Sequence, residues 1–251
     1  MSVAACAELV RDGDRDRFLA TMTAPVSLRP SLFALFAFNL ELLRAAWASD
    51  EVLIGEMRLQ YWRDIASGDS PPTSPIAEAV VETIQQHGWL AGDMLAILDA
   101  RRFDLDSMPH QDDRAIWTYL SATSGRLAWS AGRLLGAGEA DRAALLAFGA
   151  ATGFARMMEG WPRIVARRRV PLGEESVARI PDLAGQAYAE LIAAMSALRG
   201  KGLGPVLLTG CQAPYVLKRV QRDPSAMPEG RLQISEFRQR LRLQLAYWRN
   251  R

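Results

Sequence analysis

The sequence has 251 residues, of which 49% are hydrophobic and 23% are charged, so it holds enough apolar material for a buried core. Its formal net charge of +2 gives no overall electrostatic attraction to nucleic acid, and we expect no nucleic-acid partner. The two cysteines and two histidines share no spacing typical of metal ligands, which argues against a zinc site and favours a reducing compartment.

The N-terminal region indicates a cytoplasmic protein. Residues 1–17 carry acidic side chains and lack the apolar segment of a signal peptide. The most apolar stretch, Leu32 to Leu40, is too short to cross a bilayer and is followed at once by Glu41 and Arg44. We therefore expect a cytoplasmic location, with a peripheral position at the inner membrane as the alternative.

The first strongly periodic segment lies before a proline-rich loop. Ile54, Met57, Tyr61 and Ile65 recur at steps of three and four residues, which places them on one face of a helix. Prolines and glycine in the loop that follows cannot continue that helix.

A second helix is predicted to begin directly after this loop, with Ser74 as its N-cap and Pro75 in its first position. Further helices are predicted over residues 91–104, 114–136, 140–168, 184–199, 206–222 and 233–249. No alternating apolar and polar run bounded by turn residues supports a strand, so the predicted class is all-α. No composition shift or long linker divides the chain, which predicts a single domain over residues 1–251.

The helix predicted over residues 140–168 changes character along its length. It begins with many small residues, which let neighbouring helices approach closely, and it ends in a run of arginines. Pro162 is expected to kink this helix or to end its first half. Arginines at the end of a helix also interact favourably with the helix dipole.

The last predicted helix is amphipathic. Its apolar stripe consists of Ile234, Phe237, Leu241, Leu245 and Trp248, and its other faces carry five arginines against one acid, Glu236. Such a stripe most often packs on its own domain, and that is the expected arrangement. A basic amphipathic helix lying on an anionic membrane is the alternative.

Several segments, in this order, resemble the squalene/phytoene synthase family. They are Asp16 to Ala20 with Arg29 to Phe38, then Gly55 to Asp64 with its Leu-Gln-Tyr-Trp-Arg run, then Tyr119 with Gly125, and then Gly153 to Pro171. The similarity covers the chain to about residue 180 and rests on order and spacing. It implies an isoprenoid-synthase-type helical bundle around a central cavity.

Active members of that family carry two Asp-rich motifs, whose carboxylates share a helix face and hold Mg²⁺ against the leaving diphosphate. The first motif, laid on Phe36-Ala37-Phe38, puts Leu43, Arg44 and Trp47 at its Asp positions, and Glu41 is the nearby carboxylate. No Asp occurs between Thr21 and Ala48, so a shift in register restores none of them.

The second motif falls on residues that also lack carboxylates: Met157, Gly160, Arg163, Ile164 and Arg168. Only Arg163 matches the family pattern. No Asp occurs between Asp141 and Asp182, so no register restores this motif either. The resemblance therefore implies a relative without metal and without cofactor, and Mg²⁺ is expected only if the chain is an active enzyme.

Tyr119 matches the position of a tyrosine thought to relay a proton in squalene synthases. A core tyrosine whose hydroxyl has a hydrogen-bond partner is the more common role for such a residue. Both roles stay open on the sequence alone.

Three functions fit these residues. The first is a non-catalytic homologue, similar to the branch of the family that includes a mitochondrial respiratory complex I assembly factor, which implies protein partners and a bound isoprenoid or lipid. The second is an active prenyl transferase that joins two prenyl diphosphates head to head without the usual motifs. The third is a lipid-binding protein in which Arg44, Arg163 and Arg168 hold phosphate in place of the metal.

If both motif helices still face one cavity, we expect a remnant pocket walled by Trp47 and Ile164. An unpaired buried arginine is costly, so each motif arginine should reach water, hold an anion, or pair with Glu41 or Glu159. Arg163 is expected to pair inside the pocket, and Arg168 is expected at its rim.

Overall fold

The computed structural model describes residues 2–47, 51–105, 108–169 and 171–249, without the side chains of Ala46, Glu236, Phe237, Arg240 and Arg249. Within these residues the chain forms helices and no strand, which confirms the predicted all-α class. The helices are α1 (Ser2–Gly13), α2 (Arg15–Met22), α3 (Arg29–Trp47), α4 (Val52–Ser67), α5 (Pro75–Gln86), α6 (Leu90–Arg101), α7 (Asp113–Leu120), α8 (Arg126–Leu134), α9 (Arg142–Ala166), α10 (Glu174–Ala178), α11 (Ile180–Leu198), α12 (Gly204–Leu208), α13 (Ala213–Arg222) and α14 (Glu236–Arg249).

The chain divides into two compact units. The first comprises Met1–Asp106 and Ser130–Gly136, and the second comprises Ser107–Trp129 and Ala137–Arg251. One domain with two lobes and two separate domains would both divide in this way. The single domain over residues 1–251 therefore stays a prediction.

Helix α3 forms the centre of the first unit, where it packs against α1, α4 and α5. Its side chains from Ser31 to Leu40 are buried on all faces of the helix, and the Phe38 ring meets the Trp62 ring edge to face with centroids 5.6 Å apart. By length and composition alone, residues 26–45 could span a membrane, with a mean hydropathy of 1.3. Burial within the first unit accounts for the same composition, since a helix covered all round must be apolar all round.

Two other features of the first unit bear on stability. Ser74 caps α5 by accepting a hydrogen bond from the backbone N–H of Ala77 (3.2 Å), with Pro75 as first residue, which confirms the predicted helix start. Helix α1 buries Cys6 completely, and this burial, with a smaller effect of the Glu82 charge, raises the pKa of its thiol to about 12.

Helix α4 exists where it is predicted, but its buried face differs from the predicted stripe. The buried residues are Gly55, Leu59, Trp62, Ile65 and Ala66. Of the predicted stripe only Ile65 is buried, and Met57 is 65% exposed. Steps of three and four residues fit two overlapping faces of this apolar helix, and packing against α3 selects the one that contains Trp62.

Helix α9 forms the centre of the second unit and packs against α7, α11 and α13. Pro162 lies inside it, and the helix continues to Ala166, so the proline does not end it. The helix predicted over residues 206–222 is divided into α12 and α13. The helix predicted over residues 114–136 consists of α7, a π-helical turn at Ser121–Gly125, and α8.

The C-terminal helix α14 is not packed as expected. Ile234, which precedes it, is buried, but Leu241, Leu245 and Trp248 are exposed. The predicted core packing of the stripe is therefore wrong for these three residues. The side chains of Phe237 and Arg240 lie outside the described part of the structure. The whole of Arg251 lies outside it as well.

Candidate functional site

The residues aligned with the Asp positions of the first family motif lie at the C-terminal end of α3, in the first unit. Leu43 and Trp47 are four residues apart, so they share a face of the helix, and both are half-buried. Arg44 is exposed and pairs with Glu41, with Nη1 and Oε1 3.1 Å apart, as expected for a motif arginine without metal. Because the Arg44 side chain is 55% exposed, this pair contributes little to stability.

The residues aligned with the second motif lie on the last turns of α9 and just after them, in the second unit. Met157, Gly160 and Ile164 are half-buried and lie on one face at steps of three and four residues. Arg163 is exposed and has no ion pair or hydrogen bond with a side chain in the described part of the chain. The expected pairing of Arg163 with a carboxylate is therefore not seen, and its pairing with an anion stays a prediction.

Arg168 lies beyond the end of α9, although the sequence predicts that the helix extends to it. Its backbone has φ 56, the left-handed conformation, and it is exposed. The N–H of Arg168 donates to Val165 O (2.8 Å) and the N–H of Arg169 donates to Ile164 O (3.3 Å). These bonds form a Schellman motif, which usually has glycine at the left-handed position. The motif spacing requires Arg168 to lie on the helical face that carries Ile164. Because the helix ends before Arg168, its side chain does not continue that face.

The two motif segments belong to different compact units. Each segment carries half-buried apolar side chains at the positions where the resemblance predicts the motif, and the loss of both motifs stays a prediction. The remnant pocket that would join Trp47 and Ile164 stays a prediction.

Tyr119 lies on α7, half-buried, with its ring centroid 4.8 Å from that of His110. His110 is 5% exposed, and its backbone N–H donates to Pro171 O (3.2 Å) while its carbonyl accepts from the N–H of Gly173 (3.2 Å). Nothing in the sequence singles out His110, because a single histidine in a loop gives no periodic or spacing signal.

The π-helical turn at Ser121–Gly125 begins two residues after Tyr119. The N–H of Arg126 donates to Ser121 O, five residues back, which defines the turn. Thr123 Oγ1 also donates to Tyr119 O (2.8 Å), so the tyrosine backbone is tied to the turn. Such single π turns are common at functional sites.

Helix α9 contacts this turn through two glycines. A Cβ added at Gly149 would lie 2.3 Å from Ser124 O and 2.6 Å from Gly125 Cα. A Cβ added at Gly153 would lie 2.6 Å from Ser124 Oγ. Both positions therefore require glycine, and the Tyr119–Gly125 segment is held against α9 at backbone contact distance.

No group of three or more His, Cys, Asp or Glu side chains that could hold a metal ion occurs among the described residues. The absence of a metal and a cofactor stays a prediction.

The sequence matches the family described as squalene/phytoene synthase over residues 10–199. A dehydrosqualene synthase solved in complex with ligand shares the fold with a TM-score of 0.77 at 15% identity, covering 98% of this chain and 95% of that chain. A squalene synthase from Alicyclobacillus acidocaldarius gives a TM-score of 0.71 at 14% identity, covering 89% and 94%. The chain belongs to the squalene/phytoene synthase family, as predicted, and has its all-α fold.

Among curated proteins the chain is similar to the NADH dehydrogenase (ubiquinone) complex I assembly factor 6 of Bos taurus, with 31% identity over 170 residues, 66% of this chain and 51% of that protein. The protein of the same name from Mus musculus is 27% identical over 273 aligned positions, 98% of this chain and 82% of that protein. The chain thus spans about half the length of the first curated relatives that it matches. These similarities confirm the predicted branch of the family.

Proposed function

We propose that this chain is a non-catalytic member of the squalene/phytoene synthase family that acts in the assembly of respiratory complex I. The similarity to complex I assembly factor 6 carries this proposal, since it reaches 27% identity over 98% of the chain. The synthases of known structure share the fold at only 14% and 15% identity.

The side chains at the motif positions support a non-catalytic role. Ionisation of an allylic diphosphate needs cations that neutralise the leaving group, and carboxylates hold those cations in the active enzymes. In α3 the corresponding positions carry Leu43, Arg44 and Trp47, and the nearby Glu41 is already paired with Arg44.

The same residues support an isoprenoid or lipid as the bound small molecule. On α9, Ile164 offers an apolar side chain, and the exposed guanidinium of the adjacent Arg163 suits a phosphate. Binding of farnesyl diphosphate that persists in a chelator would support this ligand class, whereas binding that requires Mg²⁺ would contradict it.

We place the protein in the cytoplasmic compartment, peripheral to the inner membrane, because its proposed partner is a membrane complex. Deletion of the gene in the source organism tests the assembly role. We expect a lower amount of assembled complex I on native gels and lower NADH oxidation by membranes, with succinate oxidation unchanged as the control. Normal complex I in the deletion strain would overturn the proposal.

A further inference from the structure

Helix α14 rests on the second unit by one face only. The half-buried positions of this helix are residues 239, 242, 243, 246 and 247, which recur at steps of three and four. On this inner face the guanidinium of Arg242 lies 4.2 Å from the centroid of the Tyr215 ring. Gln212 Nε2 donates to Gln239 O (3.2 Å), which fixes the start of the helix.

The opposite face of α14 is apolar and open to water. Leu241, Leu245 and Trp248 are 45%, 56% and 68% exposed, and their spacing of four and three residues aligns them in one stripe. Arg238 is exposed at the edge of this stripe, about 60° around the helix from Leu241. These exposed fractions show that the described chain leaves much of the stripe open to water.

The charge of the segment indicates which kind of partner the stripe would bind. Residues 236–251 contain five arginines and one acid, Glu236. An apolar stripe beside basic residues, with tryptophan near its end, is the pattern of a helix that lies in the headgroup region of a bilayer. A docked protein would need acidic side chains around an apolar groove, whereas an anionic bilayer supplies phosphate and apolar depth together.

We propose that α14 binds an anionic phospholipid surface, with Leu241, Leu245 and Trp248 inserted among the acyl chains. The Arg238 side chain then reaches the headgroup phosphates, while Arg242 holds the helix on the protein through Tyr215. This inference rests on the exposed face of α14 and is independent of the proposed role in complex I assembly.

Sedimentation of the full chain with vesicles tests the proposal. We use vesicles of phosphatidylcholine and phosphatidylglycerol in roughly a 2:1 ratio, and vesicles of phosphatidylcholine alone. The protein should sediment with the anionic vesicles only, and added salt should release it. Substitution of the stripe (Leu241→Gln, Leu245→Gln and Trp248→Gln) should lower the partition coefficient by about tenfold or more, because three apolar insertions are lost.

A matched control carries Val52→Gln, Leu53→Gln and Met57→Gln, which change three other exposed apolar side chains. This variant should bind the anionic vesicles like the unaltered chain, and circular dichroism should show that both variants keep their helices. Equal binding by the stripe variant, loss of binding in the control, or equal binding to neutral vesicles would each overturn the proposal. A dimer without lipid that the stripe variant converts to a monomer would also overturn it, because a second copy would then cover the stripe.

Discussion

A single methyl group added at Gly149 should measure how closely α9 packs against the π-helical turn. In Gly149→Ala the new Cβ would lie 2.3 Å from Ser124 O, 2.6 Å from Gly125 Cα and 2.8 Å from Ala128 Cβ. Two of these three atoms belong to the backbone, so no side-chain rotation can relieve the contacts. Either α9 or the turn must move.

The expected loss of stability combines two opposing effects. Overpacking of a close helix contact costs about 3 kcal/mol when the backbone must shift. Alanine in place of glycine inside a helix raises the free energy of unfolding by about 1 kcal/mol. The net loss is therefore about 2 kcal/mol, which lowers the urea midpoint by roughly 0.7 M if the denaturant slope is about 3 kcal/mol/M.

Gly160→Ala is the matched control on the same helix. Its Cβ would meet only Ile164 Cδ1, at 3.9 Å, which is ordinary van der Waals contact. This variant should gain about 0.5–1 kcal/mol from helix propensity alone. Urea denaturation followed by far-UV circular dichroism measures both variants. If Gly149→Ala is as stable as the unaltered chain, the close packing of α9 on the turn is refuted.

Three further predictions follow from local features. Arg168→Gly should raise the free energy of unfolding by about 0.5–1 kcal/mol in the same assay, because glycine adopts the left-handed conformation without the steric cost that arginine meets; a loss of stability would contradict the Schellman geometry. Burial raises the pKa of the Cys6 thiol, so the neutral thiol stabilises the fold fully below the ordinary pKa of 9.0, and this contribution is lost as pH rises toward about 12. Cys6→Ala should therefore flatten the decline in the free energy of unfolding at alkaline pH. An unchanged decline would exclude a role for this thiol. Purified protein with Mg²⁺ and farnesyl or geranylgeranyl diphosphate should form no squalene or phytoene, and steady metal-dependent product in an extraction assay would restore the enzyme alternative.

Features that depend on neighbours in sequence could be predicted from the sequence. Ser74 and Pro75 define the start of α5 through contacts within one helical turn, so the prediction matched the structure. The end of α9 depends equally on local backbone geometry, but arginine occupies the left-handed position, and the usual glycine signal is missing. The predicted helix therefore extended two residues beyond the C-terminal end of α9.

Features that depend on packing could not be predicted in this way. The π-helical turn exists beside Gly149 and Gly153, which lie more than twenty residues further along the chain, and no local pattern in Ser121–Gly125 indicates it. The buried face of α4 is chosen by contact with α3, not by periodicity. The motif positions were assigned by resemblance alone, and this assignment stays a prediction.

The π-helical turn also limits which changes in length this part of the chain can tolerate. A π turn holds one residue more than the α-helical turn it replaces, so deleting that residue closes the turn to an α-helical one and leaves α8 in nearly the same orientation relative to α7. Ala128 would then stay beside Gly149, where the contact is already closed to a single methyl group. A deletion inside α8 has no such turn to absorb it and would rotate the residues that follow by about 100°. Relatives that keep this packing should therefore vary in length within the turn and not within α8.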